Sequence, residues 1–344
     1  MSHPYRRLPD TSFWSRSVPL APPGGLDPLI GAPFRISPEM QVATMGSCFA
    51  QHIARHLSRS GLKYMVTEPG PVDKNYGVFT ARFANIYTTR QAVQMFDRAY
   101  GRFSPEEDVW AAGDAFVDPF RPTVEPGGFS SVEALHEDRE KHFAAIRDMF
   151  ENADVLVFTL GLTEGWRSKI DGAMLAAAPG VSGGKFDPER HEAVNLTTAE
   201  VRSDLEDLRS RLHGVNPTCK IILTVSPVPL IATNQARHVV ASTSYSKAAL
   251  LAAAVEFSGA HDDVAYFPSY EIITSSHSRG AYFEADLRSV RPEGVAHVMR
   301  TFTRHFVDGA GVAQTARLEA RAGTDDIVCD EEEIERAMAA TGMA

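Results

Sequence analysis

The stretch QVATMGSCFAQHIARHL, residues 41–57, joins a buried strand to an amphipathic helix. The apolar run 42–45 is typical of a strand in the interior of a parallel sheet, and Gly46 ends it. Apolar side chains then recur at helical spacing, at Phe49, Ile53 and Leu57. Ser47 and Cys48 therefore stand at a strand-to-helix junction, where exposed backbone N–H groups favour negative charge.

The composition is that of an ordinary globular protein. The chain has 344 residues, of which 44% are apolar and 23% are charged. This length suits one large domain, alone or with a smaller appendage. The formal net charge is -10, from 44 acidic and 34 basic residues. Because a negative field repels a phosphate backbone, we expect no nucleic-acid partner.

Cysteine spacing and the amino-terminal sequence bear on redox chemistry and location. The three cysteines, at positions 48, 219 and 329, have no paired spacing, so neither a disulfide framework nor a metal site is indicated, and we expect no cofactor. The opening sequence MSHPYRRLPDTSFW lacks the apolar run of a secretion signal. No segment reaches the ~18 apolar residues of a membrane span. The sequence thus predicts a cytoplasmic protein.

Proline content and charge divide the chain into three regions. Residues 1–38 are rich in proline and predict an extended N-terminal arm laid over the body, held by Phe13 and Trp14. Residues 39–307 form the predicted α/β domain. Residues 308–344 form an acidic C-terminal tail, for which we expect a peripheral helix or partial mobility.

Apolar strands alternate with helices along the α/β domain. Strands are predicted at 41–46, within 61–69, within 153–161, within 219–225 and at 263–268. Helices are predicted at 48–60, 82–99, 131–150, 197–213, 245–258 and 292–306. Residues 101–130 and 168–190 are expected to be irregular. Fully apolar strands that alternate with helices indicate a mostly parallel sheet with helices on both faces.

In an open parallel sheet, ligands collect beyond the carboxyl ends of the strands. Four predicted segments end there in polar loops, at 46–48, 161–164, 226–227 and 269–271. Ser47 lies in the first of them, where the N–H groups of a helix terminus can stabilise an oxyanion. The simpler interpretation is an N-cap, the commonest role of a serine before a helix.

Several motifs give the chain a wider resemblance. Similarity to the GSCFA family extends over about residues 4–306 and is carried by MGSCFAQHIA, NYGVFTARFANIYTTRQ, VFTLGLTEGW, LTVSPVPLIAT, SYSKAALL, YFPSYEIIT and DLRSVRPEGVAHVM. That family is a bacterial group placed among the SGNH/GDSL-like hydrolases. The resemblance implies a three-layer, flavodoxin-like α/β fold and a serine nucleophile after the first strand.

The resemblance also implies roles for single residues. Ser47 takes the nucleophile position, and GLTE takes the place of the superfamily's Gly-x-Asn-Asp. Gly161 fits as an oxyanion donor, whereas Thr163 offers a hydroxyl in place of an amide and reaches less far. Asn75 or Gly77 is the expected remaining donor.

The sequence departs from the superfamily at the catalytic base. DLRSVRPEG matches the pattern Asp-x-x-His-Pro with Ser289 in the histidine position, so Asp286 lacks its expected partner. A serine hydrolase needs a base within hydrogen-bond reach of its hydroxyl. His297, on the helix that Pro292 begins, is the first substitute. The alternatives are His52, His142 and His277.

Two further motifs have competing interpretations. Cys48 is either a reactive thiol at a helix N-terminus or a packing residue, and we favour Ser47 as the nucleophile. The run Tyr245-Ser246-Lys247 suggests a serine–lysine pair. We reject that pair because neighbours along a helix face different directions.

Charged side chains near the strand ends are candidates for substrate binding. Glu164, beside Trp166, would orient a sugar hydroxyl with the indole as a stacking plane, or would tie two loops together. Arg82 and Arg288 would make forked contacts to a carboxylate or phosphate, or would form surface salt bridges.

The sequence favours an esterase or O-acyltransferase of the SGNH type, acting on a small acyl group, chiefly acetyl, of a carbohydrate or polar metabolite. Ser47 would attack the carbonyl, and His297, oriented by Asp286, would move the proton. The alternative is a hydrolase scaffold without turnover that binds a ligand or partner. A homo-oligomer is compatible with both.

Overall fold

The structure is a computed structural model that describes residues 3–309 and 332–340. Its strands are β1 Gln41–Gly46, β2 Lys63–Tyr64, β3 Trp110–Ala112, β4 Ala115–Val117, β5 Val155–Leu160, β6 Glu164–Ser168, β7 Met174–Leu175, β8 His191–Asn195, β9 Lys220–Val225 and β10 Val264–Phe267. Its α-helices are α1 Trp14–Ser17, α2 Ala50–Arg59, α3 Thr89–Ala99, α4 Val132–Asn152, α5 Thr198–Val215, α6 Val239–Ala260, α7 Ser269–Thr274, α8 Pro292–Phe306 and α9 Glu332–Ala340. Short 3-10 helices lie at Pro4–Arg7, Asp10–Ser12 and Val72–Lys74.

Five strands form a parallel sheet in the order β2, β1, β5, β9, β10. Near the end of the strands, Gly46 lies opposite Thr159, and Thr159 lies opposite Thr224. The carboxyl ends of β1, β5 and β9 therefore meet at one edge. The predicted α/β architecture with a parallel central sheet is confirmed.

Helices cover both faces of this sheet, because side chains along each strand alternate between two cores. Leu156 and Leu223 contribute to one core, which α3, α4, α5 and α6 complete. Val157 and Ile222 contribute to the other core, which α2, α7 and α8 complete. Because both faces of the sheet are buried, the strand sequences are continuous runs of apolar residues.

Two helices begin more than one turn away from the predicted residue. The helix expected from residue 82 begins at Thr89, because Thr88 closes a capping box ahead of it. The helix expected from residue 245 begins at Val239, where the His238 side chain caps the first turn. In both cases the position of a side-chain cap, and not the spacing of apolar residues, determines where the helix begins.

Two small antiparallel sheets lie in or beside the regions that were expected to be irregular. β3 pairs with β4, and β6 pairs with both β7 and β8. These strands are two to five residues long, too short to show a clear alternation of apolar and polar residues. Because β6 begins at Glu164, this second sheet borders the strand ends of the central one.

The N-terminal arm contacts α8. His297 donates from Nε2 to Leu26 O at 2.8 Å, and Arg300 donates to Gly24 O at 3.1 Å. Polar side chains of α8 thereby satisfy carbonyl groups of an extended segment. Trp14 does not hold the arm as expected, since it is 67% exposed.

The acidic tail is described in part. Residues 310–331 and 341–344 lie outside the described residues, and the predicted mobility of the tail falls largely on them. Residues 332–340 form α9, as expected for a terminal helix. Of the helices within the described ranges, none is both long enough and apolar enough to span a bilayer.

Candidate functional site

Ser47 lies buried at the carboxyl end of β1. It is 2% exposed, and its Oγ has no hydrogen-bond partner among the described residues. Its backbone is bonded, since its N donates to Thr159 O at 3.0 Å and its O accepts from Ala50 N at 2.8 Å. The helix α2 begins at Ala50 without any side-chain cap. Ser47 is therefore not an N-cap, and its hydroxyl makes no hydrogen bond to any described residue.

Two glycines shape the space around Ser47. Gly46 has a φ of 132°, and a Cβ at this position would lie 2.2 Å from Thr159 O. A Cβ on Gly161 would lie 3.0 Å from Ser47 Cβ and 3.1 Å from Tyr87 Cα. Only glycine allows approaches this close. The structure thus places Gly161 against Ser47, although these residues come from different strand ends.

The groups that were expected to hold an oxyanion already have acceptors. Gly161 N donates to Tyr87 O at 3.1 Å. Thr163 N donates to Ser246 Oγ at 2.9 Å, and Thr163 Oγ1 donates to Asn195 Oδ1 at 2.7 Å. An oxyanion hole needs donors aimed at the position of the reacting oxygen. Here the same donors fix the loop that follows β5.

Asn75 and Gly77 do not complete an oxyanion hole. Asn75 Nδ2 donates to Thr123 O at 3.0 Å, and Asn75 has a left-handed φ of 60°. Gly77 is exposed to solvent, whereas Ser47 is buried. The Asn75 amide therefore ties its own turn to a neighbouring loop.

His297 and Asp286 are not paired in the structure, which corrects the predicted triad. Besides the bond from Nε2 to the arm, His297 Nδ1 accepts from Tyr282 OH at 2.8 Å. Asp286 accepts from Ser289 Oγ at 2.6 Å and from Ser289 N at 2.9 Å. Both ring nitrogens of His297 are thus engaged, and neither bonds to Ser47. The histidine holds the arm on α8, and the aspartate closes a local turn.

The other three candidate histidines also make no hydrogen bond to Ser47. Burial lowers the pKa of His52 to about 4. His142 Nδ1 lies 2.7 Å from Glu68 Oε2, and His277 donates to a backbone carbonyl of the arm. All twelve histidines of the chain lie within residues 3–309, and none hydrogen-bonds to Ser47 Oγ.

Ser246 and Lys247 converge on the loop beside Ser47, a contact that the sequence did not predict. Lys247 is 1% exposed, and its Nζ donates to Gly161 O at 2.7 Å. The neighbouring Ser246 Oγ accepts from Thr163 N. The two side chains leave α6 in different directions but reach the two ends of one short loop. A lysine within the apolar sequence of α6 was the signal for this contact.

The remaining candidate residues have structural partners. Cys48 is 4% exposed, as expected for a packing residue. Glu164 accepts from Thr233 Oγ1 at 2.9 Å and so ties two loops together. Arg82 is 2% exposed and pairs with Glu125 at 2.7 Å, which corrects its expected place at a surface.

A cavity of about 690 Å³ lies at the strand ends, beyond β9 and β10. Asp286, Arg288 and Ser289 line it together with Tyr270. Leu287, at its mouth, is 72% exposed and has a φ of 54°. A leucine in the left-handed region is strained, and such strain is concentrated at functional sites.

A smaller cavity, of about 220 Å³, lies beside Glu164 and Trp166. Leu230 lines both cavities, α9 contributes side chains to both, and Ser47 lines neither. In the described part of the chain, no three His, Cys, Asp or Glu side chains are arranged to hold a metal ion. Neither of these cavities therefore includes the Ser47 hydroxyl.

The model of the GSCFA family matches residues 41–302. The chain belongs to the GSCFA family. No curated protein matches it. In this GSCFA protein the matched region runs from the start of β1 into α8. It therefore contains Ser47, Gly161 and the strand ends that border both cavities, whereas the arm and α9 lie outside it.

Proposed function

We propose that this GSCFA protein binds a small polyhydroxylated ligand, of the carbohydrate type, in the cleft of about 690 Å³. Ser47 does not act there as the nucleophile of a serine–histidine–aspartate triad. The observation that carries this proposal is that the hydrogen-bonding groups expected to serve Ser47 in catalysis are engaged with other partners. The neighbouring amides already donate to other acceptors, and no candidate histidine hydrogen-bonds to Ser47. Both ring nitrogens of His297, for example, bond to Tyr282 and Leu26.

We assign the scaffold to the SGNH type. Counted along the central sheet alone, the strands have the order 2-1-3-4-5, which is the order of flavodoxin-like folds. A serine follows the first strand of that sheet, and a glycine that touches the serine follows the third. In such sheets ligands bind outside the carboxyl ends of the strands, which is where the cleft lies.

The groups in the cleft suit a ligand with many hydroxyls. Tyr270 and Phe283 supply aromatic surface, and Asp286 and Arg288 supply a charged acceptor and a charged donor. Small-molecule sites of this kind combine apolar walls with a few polar groups that fix orientation. A pyranose ring has an apolar face and a hydroxyl rim, which match these two sets of groups.

Saturation-transfer NMR on the full chain tests this proposal, with a panel of neutral and acidic mono- and disaccharides. We expect transfer to at least one sugar, and we expect Tyr270→Ala or Arg288→Ala to weaken binding by roughly 10-fold or more. Arg211→Ala is the control, because Arg211 pairs with Asp97 away from the cleft. Absence of transfer to every sugar, or equal transfer in all variants, contradicts the proposal.

A second function, transfer or hydrolysis of a small acyl group by Ser47, is favoured by the unpartnered Ser47 Oγ. A buried hydroxyl without a hydrogen bond is costly and calls for a functional explanation. Lys247 would then be the base, because it bonds to the loop that touches Ser47 and serine–lysine pairs serve some hydrolases. As a neutral amine, it would accept the proton of Ser47 while Oγ attacks the acyl carbonyl. It would return that proton to the ester's alcohol oxygen as the bond from the acyl carbon to that oxygen breaks. Water or an acceptor hydroxyl would then attack the acyl-enzyme and release Ser47.

Hydrolysis of 4-nitrophenyl acetate separates the two functions. The binding function predicts the same background rate for the wild type, Ser47→Ala and Lys247→Met. Loss of activity by roughly 100-fold or more in both variants, with circular dichroism unchanged, would establish the second function in place of the first.

A further inference from the structure

The cavity of about 220 Å³ has mostly apolar walls. They include Trp166 and Leu175 of the antiparallel sheet, and Leu162 and Leu230 of the loops that follow β5 and β9. The alanines at 176–178 also line the cavity, and their short side chains leave the space open. Since a protein cavity of about 150 Å³ can hold benzene, this one accommodates an apolar group of the size of one ring.

Glu164 has the only charged side chain among the described residues that line this cavity. Glu164 and Trp166 are two positions apart in β6, so their side chains leave the strand on the same face. Ala193 lies opposite Trp166 on β8, shares that face and also lines the cavity. The carboxylate of Glu164 therefore belongs to an otherwise apolar face that borders the cavity.

The carboxylate of Glu164 is only partly satisfied by protein groups, although the residue is half-buried. Thr233 Oγ1 lies 2.9 Å from each of its two oxygens. A threonine hydroxyl has one hydrogen to donate, whereas a carboxylate can accept about four hydrogen bonds. Among the described residues, no Lys, Arg or His side chain forms an ion pair with Glu164. Its charge and most of its acceptor capacity are thus available to an occupant of the cavity.

Other polar side chains of the wall serve the protein itself. Gln91 Oε1 accepts from Thr88 N at 2.8 Å, and Gln91 Nε2 donates to Leu175 O at 3.2 Å. Thr88 Oγ1 accepts from Gln91 N at 3.2 Å in the capping box of α3. A sugar would find few polar groups to bind its hydroxyls, and an anion would be repelled by Glu164. The wall therefore suits a ligand that combines a positive charge with an apolar body.

Trp166 strengthens the case for a cationic group beside Glu164. The face of an indole ring attracts cations more strongly than the other aromatic side chains do. Phe186 packs edge-to-face with this indole, with ring centroids 5.4 Å apart and an interplanar angle of 79°. A primary ammonium group can also donate hydrogen bonds to a carboxylate, and such charge-assisted bonds are the strong ones.

We propose that the cavity of about 220 Å³ binds a small primary amine in its protonated form, with the ammonium group at Glu164 and the apolar body against Trp166 and Leu230. The ammonium group donates to the carboxylate. The body, of the size of one ring or of a branched chain, fills the apolar space. This site takes a different ligand from the cleft of about 690 Å³ and does not depend on the sugar proposed there.

Isothermal titration calorimetry of the full chain tests the site with two probes, 2-phenylethylammonium and 3-methylbutylammonium. Their neutral counterparts, 2-phenylethanol and 3-methylbutanol, have nearly the same shape without the charge. At neutral pH and low ionic strength, we expect at least one ammonium probe to bind with a Kd below roughly 1 mM, and its alcohol to bind roughly 10-fold more weakly or less. Absence of binding by both ammonium probes, or equal affinity of an amine and its alcohol, overturns the proposal.

Glu164→Gln tests the place at which the ammonium group binds. The glutamine oxygen can still accept from Thr233, so the two loops stay tied while the charge is removed. We expect this variant to bind the ammonium probe roughly 10-fold more weakly or less. Glu192→Gln is the matched control and should keep the wild-type affinity, because Glu192 of β8 pairs with Arg167 at 2.6 Å and does not line the cavity. Wild-type affinity in Glu164→Gln would place the ammonium elsewhere and also overturn the proposal.

Discussion

Ser47 and Ser246 are both buried, but only the Ser246 hydroxyl has a hydrogen-bond partner. Ser47 Oγ has no partner among the described residues, whereas Ser246 Oγ accepts from Thr163 N at 2.9 Å. A hydroxyl buried without a hydrogen bond costs about 1 to 3 kcal/mol relative to water, and so does an amide that loses its acceptor. Removal of the two hydroxyls should therefore change stability in opposite directions.

Ser47→Ala is expected to raise the free energy of unfolding by about 1 kcal/mol, because it deletes an unsatisfied polar group. Ser246→Ala should lower it by about 1 to 2 kcal/mol, because Thr163 N then lacks an acceptor. Urea titrations at neutral pH measure both changes. If Ser47→Ala instead lowers the free energy by a similar amount, its hydroxyl has a partner in solution.

Gly161 has no room for a side chain, because Ser47 Cβ and Tyr87 Cα lie 3.0 and 3.1 Å from the position of its Cβ. Gly161→Ala is expected to destabilise the fold by about 1 to 3 kcal/mol through overpacking. Gly214→Ala is the matched control. Gly214 lies in α5 with open space around its Cβ position, so alanine there should stabilise by about 0.5 to 1 kcal/mol. Equal effects in chemical denaturation would refute the packing argument.

At the residue scale, the sequence located Ser47 and Gly161 because each directly follows an apolar run, and parallel strand ends meet at one edge. It could not identify the role of His297. The partners of that ring, Tyr282 and Leu26, lie 15 and 271 residues away along the chain. The second contact comes from the proline-rich arm, whose path no local pattern predicts.

At the scale of elements, α2 and α8 carry three histidines whose charged form is disfavoured. Burial lowers the pKa of His52 and of His56 to about 4, and it also lowers the pKa of His297. His56 Nε2 lies 2.9 Å from Thr303 Oγ1, so α2 and α8 meet at this ring. The folded state therefore binds fewer protons than the unfolded state in mildly acidic solution.

This difference predicts a loss of stability on acidification. The unfolded pKa of histidine is about 6.5, so the contribution is complete above that pH and declines as pH falls toward 4. We expect the free energy of unfolding to fall from pH 7.5 to pH 5, by roughly 1 kcal/mol per affected histidine at pH 5.5. Urea titrations at several pH values measure the slope.

His56→Gln should reduce that slope, because glutamine does not titrate and can still bond to Thr303. His136→Gln is the control, since His136 lies exposed on α4. An unchanged slope in His56→Gln would show that other groups cause the acid sensitivity.

The elements that the sequence predicted well have strong local signals at their ends. Pro292 begins α8 at the expected residue, and Ser131 caps α4. The segment 82–88 carries apolar residues at helical spacing but crosses the strand ends instead, where Tyr87 O accepts from Gly161 N. Tertiary bonding outweighs local periodicity there, and the short strands of the antiparallel sheets are fixed by long-range pairing in the same way.

At the scale of the whole molecule, the described residues line cavities of about 690 and 220 Å³ at the strand ends, and Leu162, which follows the Gly161 that contacts Ser47, lines the smaller one. Leu230 lines both cavities, and Ile334 and Glu335 of α9 line one cavity each. The Asp286–Ser289 turn and β6 contribute polar groups to this space, whereas Ser47 is buried and lines neither cavity. The molecule thus combines a parallel sheet of order 2-1-3-4-5 with a cleft that is displaced from the buried serine, and in this cleft we propose that the ligand binds.

Labelling of the full chain with a fluorophosphonate probe tests this central claim most directly, because the probe reacts covalently with activated serines. Intact mass spectrometry of the wild type and of Ser47→Ala counts the bound probe. The account predicts the same negligible labelling of both proteins, since no base reaches Ser47 Oγ and its neighbouring amides are occupied. Stoichiometric labelling of the wild type that Ser47→Ala abolishes would contradict it.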